Sequence, residues 1–344
     1  MTDTLAAHLD GCLGCRACES ACPSLVAFGR LMDAAKAVRT AERPAWQRAL
    51  RCAWLTLLST AGRMGQVARL ARVYRASGAA HLAELSGMAR LGLLRPYHRL
   101  ARVLGTGDAR PTPAADATTE IDLFLGCTRD SALTAASAAS RELLARLGVR
   151  AHIPSADLCC GALMRHNGFP GQAERQRQRC AERHTGRTLV GLASACVAEL
   201  REEPRLAGTL ELCDYLDRLD WPASLLLRPL PARVLVHEPC THRHRLGGNA
   251  AVFRLLARIP ELVVEPLTDS PRCCGSAGTY LLDQPALSSR LLDDTLAPIL
   301  ETRPDILVTT NVGCALHLAA GLAETGIAIE VCHPVELLAR QLPR

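Results

Sequence analysis

The chemistry this sequence offers first is that of sulfur. Cys12, Cys15, Cys18 and Cys22 form a C-x2-C-x2-C-x3-C-P run near the start of the chain. Three thiols at every third position let one loop surround three corners of a cube, with a fourth thiol before a proline. That spacing favours a [4Fe-4S] cluster, whereas a structural zinc site shows two separated pairs of ligands. Further along, Cys159-Cys160-Gly161 and Cys273-Cys274-Gly275 each place two adjacent thiols before a glycine. At Gly161 and Gly275 the missing Cβ lets the backbone turn tightly or approach a bound group, marking both as cofactor-binding candidates. Vicinal thiols closing a redox disulfide are the alternative reading of each pair.

The two pairs belong to a duplication. IDLFLGC (121–127) aligns with VLVHEPC (234–240), and LVGLASAC (189–196) with ILVTTNVGC (306–314). LELCDYLDRL (210–219) likewise aligns with IEVCHPVELL (329–338), and the offsets stay between 113 and 119 residues. Each copy contributes four thiols: Cys127, Cys159, Cys160 and Cys196 in the first, Cys240, Cys273, Cys274 and Cys314 in the second. Four thiolates are what one cluster requires. Cys213 and Cys332 are also repeat-equivalent, and stand as additional ligand candidates or as small buried hydrophobes. Cys52 and Cys180 have no counterpart and read as packing residues.

Within each copy, apolar runs of strand length end at cysteines and alternate with helical patterns such as Ala132–Leu147 and Pro285–Glu301. Such alternation predicts βαβ units and a mainly parallel sheet, in which ligands collect beyond the carboxyl ends of the strands. The fold expected is therefore α/β: an N-terminal iron-sulfur segment (1–30), a helical basic region (31–105), and two duplicated α/β domains (120–225 and 232–344). Gly105–Thr119, rich in Gly, Pro and Thr without periodicity, reads as the linker.

Composition narrows the function classes. Residues 24–105 hold fourteen basic side chains against three acidic ones, while the whole chain carries a net charge of +6. With little aromatic interleaving and no nucleic-acid module, this patch does not indicate nucleic acid as a partner. The arginine-rich helices read as solvated amphipathic faces, or as a surface that docks on a membrane or a protein partner. No apolar run reaches the ~20 residues needed to span a bilayer, and no export signal is apparent. The expected location is cytoplasmic, including peripheral attachment to the cytoplasmic face of the inner membrane. Neither a nucleophile–base constellation nor a phosphate-binding glycine loop is evident, so no catalytic residue is assigned. His237, His242, His244 and His333 read as surface or supporting groups around the second repeat's strand ends.

The blocks HLDGCLGCRACESACPS (8–24), PCTHRHRLGG (239–248), CCGSAGTYLLDQP (273–285) and DILVTTNVGCALHL (305–318) carry a resemblance. They are similar to the CCG, or cysteine-rich domain, family, which includes the B subunit of heterodisulfide reductase and iron-sulfur subunits of lactate-utilisation and glycolate oxidase enzymes. The glycolate oxidase iron-sulfur subunits match best. The resemblance implies an electron-transfer subunit with one N-terminal [4Fe-4S] cluster and one or two at the repeats. It would take electrons from flavoprotein subunits, which carry the FAD and oxidise a 2-hydroxy acid, and pass them toward quinone or another membrane acceptor. The heterodisulfide reductase branch implies the alternative of thiol or disulfide chemistry on a cluster, and cysteine-held zinc without redox chemistry is a third reading.

Two departures stand out. The glycolate oxidase subunits carry two ferredoxin-type runs where this sequence shows one, so a run upstream of Met1 is one expectation. The wider family often ends each repeat in C-x2-C, whereas here the last position holds Glu199 or His317. His317 is thus a weak ligand candidate, and the first repeat is the one expected to have an altered or absent cluster. In two-run proteins the fourth cysteine serves the other run's cluster; here Cys22 is expected to close its own cluster locally, or the cluster is labile. Replacing Cys22 by Ala should abolish a stable N-terminal cluster, measured as lost iron and lost EPR intensity; a full, stable cluster in that variant would refute local closure.

Overall fold

The computed structural model describes residues 2–92, 94–105, 119–154, 158–268 and 272–343. Most of the linker expected at 105–119 lies outside the described residues.

Two four-stranded sheets form the frame, each with every strand pairing parallel to its neighbours. The first contains β1 (Thr119–Phe124), β2 (Val149–His152), β3 (Thr188–Gly191) and β4 (Leu210–Glu211), in the order β2-β1-β3-β4. The second contains β5 (Arg233–Val236), β6 (Val263–Pro266), β7 (Ile306–Val308) and β8 (Glu330–Cys332), in the equivalent order β6-β5-β7-β8. β1, β5 and β7 lie at sheet centres; β5 and β7 bury nearly every side chain and β1 its last four. That is why they read as continuous apolar runs rather than as alternating strands. The helical segments expected between strands appear as Thr134–Arg146, Pro170–Arg183, Ala250–Leu256 and Pro285–Thr302.

The repeats share one core. Ile121, Leu123 and Val190 of the first sheet and Val234, Val236 and Val308 of the second belong to a single buried apolar cluster. The sharing follows from exchanged helices. The last helix of the second repeat, Pro334–Arg340, packs on Thr134–Arg146 of the first, and Leu212–Asp217 of the first packs on Ala250–Leu256 of the second.

Ahead of the repeats lie the helices Phe28–Glu42, Ala45–Leu58, Ala61–Ala76, Ala79–Leu85 and Arg95–Val103. Helix Ala61–Ala76 buries its small residues Ala61, Gly65, Ala68 and Ala71 and leaves Leu70 and Val73 exposed. The small face is what lets the backbone approach the turn after β1, where a Cβ on Gly65 would come within 3.1 Å of Asp130. Leu50 and Trp46 are likewise exposed, while Leu55 is fully buried. The basic region therefore presents large apolar side chains to solvent among its arginines, instead of a purely solvated polar face.

Candidate metal centres

Each sheet delivers its cysteines by the same device. β1 is flanked by β2 and β3, so three parallel carboxyl ends lie side by side; adjacent strands are about 4.8 Å apart. Cys127 follows β1, the Cys159-Cys160 pair follows β2, and Cys196 lies in the helix after β3, Ser194–Leu200. In the second repeat Cys240, Cys273-Cys274 and Cys314 hold the matching places after β5, β6 and β7. The thiols meet in a chain of contacts: Cys127 with Cys159, Cys159 with Cys160, and Cys160 with Cys196. Equivalent contacts join Cys240, Cys273, Cys274 and Cys314, with the Cys274 and Cys314 sulfurs 3.0 Å apart.

The first cysteine of each pair is the one prepared to be a thiolate. Donation from Cys127 and Cys160, together with the Gly161 amide and the Ser59 hydroxyl, holds Cys159 well below the usual thiol range. Cys273 is lowered in the same way by Cys240, Cys274 and the Gly275 amide. Their neighbours Cys127, Cys160, Cys240 and Cys274 are pushed up, first by bonding to that shared sulfur and then by burial. Two quartets of soft sulfur donors, two thiols of each buried and two half-buried, each fit an iron-sulfur cluster, and thiolate is the form that binds metal.

The glycines act through the backbone. Gly161 and Gly275 have φ of +93° and +87°, and a Cβ would lie 2.7 Å from the Ala173 carbonyl oxygen or 2.6 Å from that of Ser288. The close approach is to the next helix, while the amide N–H faces sulfur.

The N-terminal run lies over the second quartet. The charge of Cys15 is felt with those of Cys12, Cys18 and, across the interface, Cys273 and Cys240. Tyr280, five residues beyond Gly275, donates its hydroxyl to the Gly11 carbonyl at 2.9 Å. The first quartet is instead covered by the helical region, which supplies Ser59. This difference between otherwise equivalent sites depends on tertiary packing.

Other candidates have different surroundings. His317 Nε2 lies 3.2 Å from the Ser288 hydroxyl, which also donates to the Gly275 carbonyl. Cys213 groups with Glu211 and His333 at the joint between repeats, and Cys332 is buried in the shared core. Burial pushes Cys180 up to about 12, and its thiol donates to the Cys159 carbonyl. His237, His242 and His333 are buried rather than on the surface, because they face the joint and the strand ends instead of solvent. His237 is the functional candidate that spacing missed: it shares a group with Cys274 and Cys314 whose ligand atoms all lie within 4.8 Å of one another. Aligning IDLFLGC with VLVHEPC sets Phe124 against His237, and that mismatch is the available signal.

Glu199 is committed elsewhere. Its carboxylate accepts from Arg165 Nε at 2.8 Å and Arg177 Nη1 at 2.6 Å, with only 1% of its side chain exposed. Arg165 continues to Asp33 at 3.7 Å, and Asp33 to Arg16 at 3.1 Å, so an ionic chain joins the N-terminal run to the first repeat. Removing Glu199 takes from Arg165 and Arg177 the fully buried carboxylate they share, leaving each only its less buried partner, Asp33 or Glu174. Glu199→Ala should therefore cost about 3–5 kcal/mol, measured by denaturant unfolding of the metal-free protein, whereas a loss under ~1 kcal/mol would show the chain to be energetically idle.

Comparison with known proteins bears on these sites. The family described as CCG, cysteine-rich domain, matches residues 121–201 and 234–319, one match per repeat. The glycolate oxidase iron-sulfur subunit of Escherichia coli (strain K12) is 29% identical over 341 residues, covering 91% of this chain and 78% of that protein. A probable glycolate oxidase iron-sulfur subunit of Bacillus subtilis (strain 168) is 27% identical, covering 95% and 81%. Lactate utilization protein A of Geobacillus kaustophilus (strain HTA426) is 30% identical over 239 residues, covering 64% of this chain and 98% of its own length.

Proposed function

The chain belongs to the CCG cysteine-rich domain family, and from that premise we propose that it is the iron-sulfur electron-transfer subunit of a flavin-dependent 2-hydroxy-acid oxidoreductase of the glycolate-oxidising kind. The observation that carries this reading is the pair of equivalent thiol quartets at the strand ends, one of them beside a third cysteine run.

Cys127, Cys159, Cys160 and Cys196 would hold one cluster, and Cys240, Cys273, Cys274 and Cys314 a second. Cys12, Cys15, Cys18 and Cys22 would hold a [4Fe-4S] cluster. Bound clusters supply one-electron carriers, while oxidation of the hydroxy acid takes place on a flavoprotein partner. The residues of this chain do the rest. Burial of Cys159, Cys160, Cys274 and Cys314 shields the quartets from water, and the Gly161 and Gly275 amides donate to the sulfurs that carry most negative charge. Arg16, Asp33, Arg165 and Glu199 hold the N-terminal run against the repeats. Arg51, on helix Ala45–Leu58, clamps both repeats at once by donating to Asn167 of the first and to Thr279 and Asp283 of the second.

The helical region is the docking face in this reading. It combines net positive charge with exposed Trp46, Leu50, Leu70 and Val73, a pairing suited to an anionic bilayer surface, where electrons would pass to quinone. No helix among the described residues is long and apolar enough to cross a membrane.

Anaerobically prepared protein should contain iron and sulfide in several-fold molar excess over chain. It should also be reduced by glycolate only when the flavoprotein partner is present. Protein that stays colourless and iron-free after anaerobic reconstitution would end this reading, and reduction by glycolate without the partner would relocate the substrate chemistry to this chain.

A further inference from the structure

His237 lies one residue past β5, and its backbone N–H extends the sheet by donating to the Val308 carbonyl at 2.9 Å. The side chain is 2% exposed. Its Nδ1 is 3.0 Å from the Thr309 hydroxyl oxygen. Thr309 is equally enclosed, and among the described residues its hydroxyl has no other hydrogen-bond partner. A buried hydroxyl hydrogen needs an acceptor, and a neutral imidazole offers one nitrogen as acceptor and the other as donor. Thr309 therefore donates to Nδ1, which leaves the ring proton on Nε2. That Nε2 is buried without a hydrogen-bond partner, and the ring belongs to a group with the Cys274 and Cys314 sulfurs, so with Nδ1 turned to Thr309 it is Nε2 that is free to donate to them.

The duplication supplies an internal contrast. At the matching position, the last residue of β1, the first repeat has Phe124, also buried, which can donate nothing. Four thiols already satisfy the ligand requirement at the second site, so the histidine is free to act on the sulfurs rather than replace one.

We propose that His237 donates its Nε2–H to the thiolate sulfurs of the second quartet, and so makes the cluster held there a better electron acceptor than it would be in the Phe124 environment. The proposal rests on the reading above that the quartet carries a cluster. Hydrogen bonds to cluster sulfurs stabilise the more negative, reduced form and raise the potential. Thr309 is the positioning residue, because its hydroxyl sets which ring nitrogen carries the proton.

The test is an EPR-monitored redox titration of anaerobically reconstituted wild-type, His237→Phe, His237→Gln and Thr309→Val proteins. His237→Phe should move one midpoint to a more negative value and leave the others in place. His237→Gln, which keeps an N–H, should recover part of the shift, and Thr309→Val should move the same midpoint in the same direction by less. Pulsed EPR of wild-type protein carrying 15N-histidine should show the weak coupling of a hydrogen-bonded nitrogen. Unmoved midpoints in His237→Phe at full iron content would overturn the proposal, as would a coupling strong enough for a nitrogen bonded directly to iron. If His237→Phe loses iron, the labelled wild-type protein decides: absence of any histidine coupling overturns the proposal. A wild-type chain without reducible iron would defeat the functional reading itself, an outcome distinct from reducible iron whose midpoints ignore His237.

Discussion

Parallel hydrogen bonding of β1 to both β2 and β3, repeated by β5 with β6 and β7, sets three carboxyl strand ends next to one another in each repeat. Each connection after those strands reaches a cysteine three to seven residues beyond the strand end. Because parallel strands run in one direction, all the thiols emerge on the same edge of the sheet and have to meet. Antiparallel pairing would send neighbouring ends to opposite edges and scatter them. The glycine after each cysteine pair is part of the same constraint, since its left-handed backbone and missing Cβ let the turn close against the following helix.

Joining two such sheets through exchanged terminal helices makes the quartets parts of one body rather than beads on a linker. The N-terminal segment then breaks the symmetry. Its cysteine run rests on the second quartet, while the helical region covers the first, and Arg51 and the ionic chain through Asp33 hold that arrangement. The two repeats thus share a backbone plan but not an environment. Phe124 against His237, and Glu199 against His317, are the side-chain expression of that difference.

Much of this could be read from the sequence because it is carried by local pattern. The alignment of the duplicated blocks and the apolar runs ending in cysteine lead to parallel sheets and quartets at their carboxyl ends, and the family match falls on the same two segments. What escaped reading depends on contacts between distant segments. Glu199 and His317 occupy a position where the resemblance led to the expectation of a thiol, yet what each faces is decided by Arg165 and Arg177 in one case and Ser288 in the other. His237 looked like one of several polar residues near a strand end. Its role emerges only when β5 and β7 are paired, which brings Thr309, Cys274 and Cys314 around one ring. The packing face of helix Ala61–Ala76 escapes a hydrophobic pattern for a similar reason, since small residues make it.

On the proposed reading, the N-terminal run and the second quartet are adjacent stations in one electron path, with the first quartet farther from that run. EPR of the fully reduced, reconstituted chain tests it most directly, through spin–spin interaction between clusters. The N-terminal signal should show splitting or broadening that disappears when Cys273 and Cys274 are both replaced by serine and persists when Cys159 and Cys160 are replaced instead. An N-terminal signal without interaction, or one that responds only to loss of Cys159 and Cys160, would contradict it.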